Sequence, residues 1–296
     1  MNRVVIYHDN CQDGFGAAFA FYKHGQQFNR SYIFIPGQYG KPLPEVVEGA
    51  IVYLADFSYK LPQMKELLEK AAAVVLLDHH KSAIDELILG PDNLVGHPKF
   101  SCDKCTTEWS GAAICWDYLF PDRPLPRMIA HISDRDCWKF ELTGTEAFCE
   151  YLFSQPYDFS VWDKIFTDIF TKEGLYLEKL GVGEALIKAK NKMTQEIRNS
   201  AMMTGVIGGV SMPVTNASYH FASGLGELNK KVFDASAAYF INKDGEVVFS
   251  LRSAERDVQE IAKLYGGGGH KNAAGFKTTL KELMNILGAG NDGKQQ

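Results

Sequence analysis

Short apolar runs separated by amphipathic stretches set the pattern of the first half of the chain. Val4–His8 is β-branched and apolar and ends in polar residues. Tyr32–Ile35 (closed by Pro36-Gly37), Ile51–Phe57 and the fully apolar Ala73–Leu77 repeat that pattern. Runs of this length, bounded by turn residues, predict strands. Between and after them, Phe15–His24, about Pro62 to Ala72, Glu108–Leu119 and Pro126–Ser133 read as helices. Strands alternating with helices predict βαβ units, a mostly parallel sheet and helices on both of its faces. From about 160 to 205 the composition is helical. Lys188–Arg198 reads as a long connecting helix, which Gly181 and Gly183 are expected to break. Gly205, Gly208 and Gly209 make Met203–Ser211 read as a boundary. Beyond it, Ser236–Asn242 and Glu246–Arg252 flank Lys243-Asp244-Gly245, a strong hairpin signal. A helix over Asp257–Tyr265 and the run Gly266–Gly269 follow. The expected organisation is α/β throughout. It comprises a parallel-sheet domain over 1–165, a helical linker over 166–204, a smaller mixed-sheet α/β domain over 205–287 and a flexible polar tail over 288–296.

Composition narrows the class. The 296 residues are 46% hydrophobic and 23% charged, which excludes a disordered chain, a collagen-like repeat and a coiled-coil rod. Apolar stretches such as Ala71–Leu77 fall far short of the ~20 residues of a membrane span. The N-terminus enters a strand directly, with no signal-peptide pattern. With only six cysteines in the chain, free thiols and a reducing cytoplasm are expected. Cys102-Asp-Lys-Cys105 has zinc-like spacing but lacks a second pair, so it reads as two loop thiols. Trp109, Trp116 and Trp138 are expected to pack in the core, stacking on bases being the alternative, with Arg135 or Trp138 as candidates to line a substrate cleft. The net charge of −5 is uneven: residues 1–200 carry −6 and residues 201–296 carry +1. An acidic first part argues against broad duplex binding and leaves room for a small phosphate substrate.

Polar residues cluster where the predicted strands end. Val4–Tyr7 runs into His8-Asp9-Asn10-Cys11-Gln12-Asp13-Gly14, Ile51–Ala55 into Asp56, and Val74–Leu77 into Asp78-His79-His80. The helix over 126–133 delivers Asp134-Arg135-Asp136 in the same way. Ligands bind beyond the carboxyl ends of strands in an open parallel sheet. Oxygen-rich sites with some imidazole suit Mn²⁺ or Mg²⁺ before Zn²⁺. Two such ions can clamp a phosphoryl displacement; one carboxylate must then bridge them, and Asp56, alone at a strand end, suits that task.

Val75-Leu-Leu-Asp78-His79-His80-Lys81 resembles the signature of the DHH phosphoesterases. Phe249-Ser250-Leu251-Arg252-Ser253, Asp257-Val258 and Gly266–Gly269-His270-Lys271-Asn272-Ala273-Ala274-Gly275-Phe276 resemble the DHH-associated C-terminal domain of that family. The two signatures lie about 190 residues apart in the expected order. The resemblance implies a catalytic, metal-binding first domain with two manganese ions (Mg²⁺ being the alternative) and a substrate-binding second domain. One ion would be held by His8, a residue of the 9–11 segment and Asp56. The other would be held by Asp13, Asp56, His79 and Asp134, with Asp136 the alternative to Asp134. His80 would lie near the reacting phosphate, with Asp78 orienting a neighbouring histidine. Arg252, Ser253, Gly267, Gly268, Gly269 and His270 would bind substrate, the glycines as a backbone nest for an anion. One feature departs from the family pattern His-x-Asp-x-Asp-Gly. Anchored on Asp13-Gly14, Cys11 stands where a metal-binding Asp belongs, Asp9 stands where the His belongs, and His8 falls one residue early. Either His8 and Asp9 reach the first ion, or Cys11 is a softer ligand. The expected activity is hydrolysis of phosphodiester or phosphomonoester bonds by a hydroxide that two metals activate. The expected substrates are short single-stranded oligonucleotides or small nucleotides, as in the family's nano-RNase and nucleotide-phosphatase members. The expected protein is a cytoplasmic monomer or homodimer with no membrane partner. The alternatives are a pyrophosphate or polyphosphate hydrolase, and a nucleotide-binding protein with an impaired metal site.

Overall fold

The computed structural model describes residues 1–289; the rest of the predicted tail lies outside them. The chain divides into two compact units, Met1–Leu186 and Ile187–Gln296. The first contains β1 (Arg3–His8), α1 (Gln12–Phe28), β2 (Ile33–Gly37), β3 (Ile51–Ala55), α2 (Leu61–Lys70), β4 (Ala73–Leu77), α3 (Lys81–Ile84), β5 (Phe100–Ser101), α4 (Gly111–Leu119), α5 (Arg127–Asp136), α6 (Thr145–Phe153), α7 (Phe159–Thr171) and the N-terminal part of α8 (Glu173–Ala201).

β1 to β5 form one all-parallel sheet in the order 2-1-3-4-5. Alternation along each strand sends side chains to two separate cores. Val4, Ile6, Val52, Leu54, Val74 and Leu76 pack with Met64, Leu67 and Leu68 of α2 on one face. Val5 packs with Phe15, Phe19, Ala112, Ile132, Phe148 and Trp162 of α1, α4, α5, α6 and α7 on the other. Both faces being covered explains why these strands read as near-continuous apolar runs.

The second unit contains β6 (Met202–Ile207), β7 (Val210–Asn216), α9 (Tyr219–Asn229), β8 (Ala235–Ile241), β9 (Val247–Ser253), α10 (Val258–Lys263), β10 (Gly268–His270), β11 (Ala273–Thr278) and α11 (Leu280–Ala289). Its six strands form a mixed sheet in the order 10-11-9-8-7-6. β7 and β8 pair in parallel and the other neighbours antiparallel. The predicted hairpin is β8–β9, with Gly245 at φ +79.

Two local expectations fail. Gly181 and Gly183 do not break α8; a Cβ on Gly183 would stand 1.8 Å from the Ala147 carbonyl oxygen, so the glycine lets α8 lie directly on α6. Met203–Ser211 is no boundary but the β6–β7 hairpin, turning at Gly208 and Gly209 with φ +57 and +78. Within the run Gly266–Gly269, Gly268 and Gly269 belong to β10, which pairs with β11. No helix among the described residues is long and apolar enough to cross a membrane.

Candidate metal centre

The strand order reverses at β1, which lies between β2 and β3. Such a switch point, at the carboxyl ends of the strands, is where open α/β sheets bind ligands. The chain makes three tight approaches there. α1 starts directly behind the end of β1, where a Cβ on Gly14 would meet the His8 carbonyl oxygen at 2.3 Å. Asp56, the first residue after β3, has left-handed backbone at φ +57, and its amide donates to Leu77 O at the end of β4 (2.9 Å). Asp tolerates that conformation better than most side chains. α4 begins against Asp56, where a Cβ on Gly111 would stand 2.3 Å from the Asp56 Cβ and 2.7 Å from its Oδ1.

These approaches bring seven titratable side chains into one cluster. His79 Nε2 lies 3.2 Å from Asp56 Oδ1, 3.3 Å from Asp136 Oδ2 and 3.7 Å from Asp13 Oδ2. His8 Nδ1 lies 3.7 Å from Asp56 Oδ2. Three sets of potential ligand atoms fall within 4.8 Å of one another: His8, Cys11 and Asp56; Asp56, His79 and His80; and Asp13, His79 and Asp136. Asp13 is fixed by the amides of Gly111 and Ala112 (2.7 and 3.0 Å), which place its carboxylate at the N-terminus of α4. Buried Asp78 accepts the backbone N–H groups of His79 and His80 (2.8 and 3.2 Å) and lies 2.7 Å from His80 Nδ1. It thereby fixes the ring by one nitrogen and leaves Nε2 as the other polar atom.

The electrostatics are those of a site built for positive charge. Burial and the neighbouring Asp13 push the Asp56 carboxyl well above its ordinary range. Burial and Asp13 hold Asp136 up at about 6. Burial opposes a charged His79, but Asp56, Asp13 and Asp136 override it and raise its pKa to about 9. The hydrogen bond to Asp78 raises His80, whereas burial lowers His8. Burial and the carboxylates of Asp56 and Asp13 push the Cys11 thiol up. His8 Nδ1 is buried without a hydrogen-bond partner, and Asp56 Oδ1, also buried, faces the His79 imidazole without a well-formed hydrogen bond. Buried polar atoms left unpaired are costly, and both atoms belong to the ligand sets above. Oxygen, imidazole and thiol donors around unpaired buried atoms fit divalent cations.

His8, Asp13, Asp56 and His79, all expected ligands, converge here, and His80 and Asp78 adjoin them. Two expected ligands do not join them. The Asp9 carboxylate turns away to accept from Gln38 Nε2 at 2.6 Å, and Cys11 stands in the cluster instead. Asp134 is committed elsewhere: its oxygens accept from the amides of Glu141 (2.8 Å) and Leu142 (3.0 Å) and from Thr145 Oγ1 (2.5 Å). These bonds hold its carboxyl below the ordinary range, although burial acts against them. Asp136 takes the place by His79. Gly111 is a site residue that sequence reasoning missed; its signal was a glycine directly after Ser110, which caps α4 through its side chain. Cys102 and Cys105 pack against the α2-side core, and Cys105 Sγ donates to Leu76 O at 3.3 Å. Among the described residues neither belongs to a metal-capable group.

In the second unit, Ala273 of β11 pairs with Arg252 of β9 on one side and His270 of β10 on the other. Arg252 and His270 thus share a row and a sheet face, about 10 Å apart across three strands. Ser253 is otherwise engaged: its hydroxyl donates to Asp234 O and accepts from the amides of Glu255 and Arg256. A Cβ on Gly267 would stand 2.2 Å from Gly275 O, and one on Gly269 2.5 Å from Ala274 Cα, so both glycines serve sheet packing. Of Gly267, Gly268 and Gly269, Gly268 alone has open space where its Cβ would be.

Residues 220–291 match the DHHA1 domain model. An uncharacterized protein of Acanthamoeba polyphaga mimivirus is 32% identical over 92% of this chain and 66% of its own length. The chain therefore spans just under two thirds of that relative. The fold resembles the DHH domain of a member of the s1p family of ribosomal proteins, with a TM-score of 0.59 and 12% identity over 97% of this chain and 86% of the other. It also resembles the exonuclease RecJ bound to manganese, with a TM-score of 0.55 and 14% identity over 96% and 87%. With Asp78-His79-His80 at the end of β4 and the matched domain in the second unit, the chain carries a DHHA1 domain and has the fold of DHH-domain proteins.

Proposed function

We propose that the protein is a divalent-metal-dependent phosphohydrolase that cleaves phosphodiester or phosphomonoester bonds of short oligonucleotides or small nucleotides. The observation that carries this reading is Asp56, a fully buried carboxylate shared by two ligand sets, with one oxygen facing His79 Nε2 at 3.2 Å. His8, Cys11 and Asp56 would hold one cation; Asp13, Asp56, His79 and Asp136 would hold a second. Two such ions supply Lewis acidity that activates water and neutralises charge on the phosphoryl oxygens. The remaining roles belong to the chain itself. Asp78 fixes the His80 ring and favours its protonated form, so that Nε2–H serves as a hydrogen-bond donor to a phosphate oxygen or as the proton source for a leaving oxygen. Arg252 and His270 give the DHHA1 unit two donors on one sheet face for the phosphate or base of the bound nucleotide. The name of the manganese-bound RecJ neighbour supports manganese as the first ion to try.

Metal-free protein with added Mn²⁺ is assayed on a two-nucleotide RNA, a nucleoside 3′,5′-bisphosphate and pyrophosphate. Activity is expected on the nucleotide substrates, and the Asp56→Asn variant should lose at least ~10³-fold, as when a major electrostatic stabiliser is removed. Full activity in excess chelator, or an Asp56→Asn variant that keeps a tenth of the wild-type rate, overturns the reading. Pyrophosphate as the preferred substrate would replace it with a phosphoanhydride hydrolase.

A further inference from the structure

The loop after Asp136 puts bulky residues where the backbone usually takes glycine. α5 ends in a left-handed cap, with Lys139 N–H donating to Asp134 O (2.9 Å) and Trp138 N–H donating to Arg135 O (3.0 Å). The residue after the C-cap must then be left-handed, a place usually filled by glycine. Here it is Trp138, at φ +57, and Phe140 repeats the conformation at φ +51. Bulky residues at positive φ are true outliers, and strain of this kind gathers at functional sites. Burial does not compensate for the strain: Trp138 is 71% exposed and Phe140 41%. Their rings meet edge-on, 5.1 Å apart.

The strained loop lies beside the metal cluster. Trp138 is two residues from Asp136, so their Cα atoms are no more than about 7.6 Å apart. Trp109, 40% exposed, is likewise two residues from Gly111, whose amide holds Asp13. Lys139 Nζ donates to Glu108 O at 3.0 Å and so ties the two tryptophan loops together. The expectation of core packing fails for these two tryptophans, whereas Trp116 and Trp162 are buried.

An exposed flat ring on a loop that directly follows Asp136 of the metal cluster suits a nucleobase, which stacks on aromatic side chains whatever its sequence. We propose that Trp138, backed edge-on by Phe140 and adjoined by Trp109, is a stacking platform for a nucleobase of the substrate. The site would thereby favour base-bearing phosphoesters over inorganic phosphates. The proposal rests on the phosphoesterase reading for where the phosphate sits, and base binding itself can be measured without turnover.

The test uses Trp138→Gly, because glycine suits the backbone there, and Trp138→Phe, which keeps a ring. With Mn²⁺ present, kcat/KM is measured on a two-nucleotide RNA and on the same backbone lacking bases. Trp138→Gly should lose roughly 5- to 150-fold more on the first than on the second, corresponding to one stacked base, and Trp138→Phe should recover most of that difference. In a Trp109→Phe background, a nucleoside monophosphate should quench tryptophan fluorescence. Ribose 5-phosphate should not, and neither ligand should do so once Trp138→Gly is added. Equal losses on both substrates, or no base-dependent quenching, overturn the platform. If no phosphoester is cleaved, the phosphoesterase reading fails, and the quenching experiment alone decides whether Trp138 binds a base.

Discussion

Asp134 and Asp136 stand two positions apart on α5, and residues two apart on a helix do not share a face. One carboxylate therefore binds the loop Glu141–Thr145 and the other faces His79. Asp136→Asn should lower the number of bound divalent ions, as read by metal analysis after equilibrium dialysis. Asp134→Asn should keep the ions and lower stability by about 1–3 kcal/mol, as expected when a buried acceptor of several hydrogen bonds is weakened. Ion loss in Asp134→Asn with none in Asp136→Asn would restore the original expectation. Cys11 and Asp9 make a similar pair. With Asp9 bound to Gln38, Asp9→Asn should leave metal content unchanged. Cys11→Ser should shift preference from softer ions such as Zn²⁺ toward Mn²⁺, since a thiol is replaced by an oxygen; an unchanged Zn²⁺-to-Mn²⁺ affinity ratio would remove Cys11 from the ligand set. The chain announced Cys11 through its spacing from Asp13-Gly14, but not which side chain turns inward. That depends on Gln38, a residue from the end of β2 whose position only the fold reveals.

Strand ends were the most legible elements, because polar residues closing an apolar run are a local signal. His8, Asp56 and His79 were all readable in this way. Helix ends were less so. The pattern predicts that α5 stops at Ser133, whereas it runs to Asp136, and those three residues decide which aspartate meets the site. Glycines were the least legible, since spacing does not show what a missing Cβ makes room for. Gly183 admits α6, Gly267 and Gly269 admit β11, and Gly111 admits Asp56. Gly111→Ala tests the last of these. Its Cβ would force Asp56 off its position, so ion binding should fail and stability should fall by about 1–3 kcal/mol from overpacking. Retention of two ions with an unchanged melting temperature would mean that the α4 terminus can retreat without cost.

At the scale of the whole molecule, the acidic surplus of residues 1–200 acquires a location. Asp13, Asp56, Asp78 and Asp136 gather around His79 and His80. Without cations, the folded protein holds protons there that the unfolded chain gives up, because the pKa values of Asp136 and His79 are raised to about 6 and about 9. The stability contributed by those protons is full below the ordinary carboxylate and imidazole values. It is lost as pH rises through about 6 for the first group and about 9 for the second. Asp78 and Asp134 are shifted the other way, and their contribution is lost as pH falls through the acid range. Metal-free protein should therefore melt at a lower temperature at about pH 9 than at about pH 6, whereas a Mn²⁺-loaded sample, in which cations replace the protons, should not. A metal-free melting temperature that climbs over that interval would contradict the cluster's electrostatics.

The two amides that hold Asp13 offer a way to watch the site without any substrate. Hydrogen bonds to a full carboxylate charge are short and strongly polarised, so the Gly111 and Ala112 amide protons should resonate far downfield in a nitrogen–proton spectrum. A cation that draws charge from the same carboxylate weakens that polarisation and moves both signals back. Glycine nitrogens occupy their own region of such spectra, so Gly111 is a reporter that can be found early in assignment. Its resonance would follow occupancy of the Asp13 position ion by ion.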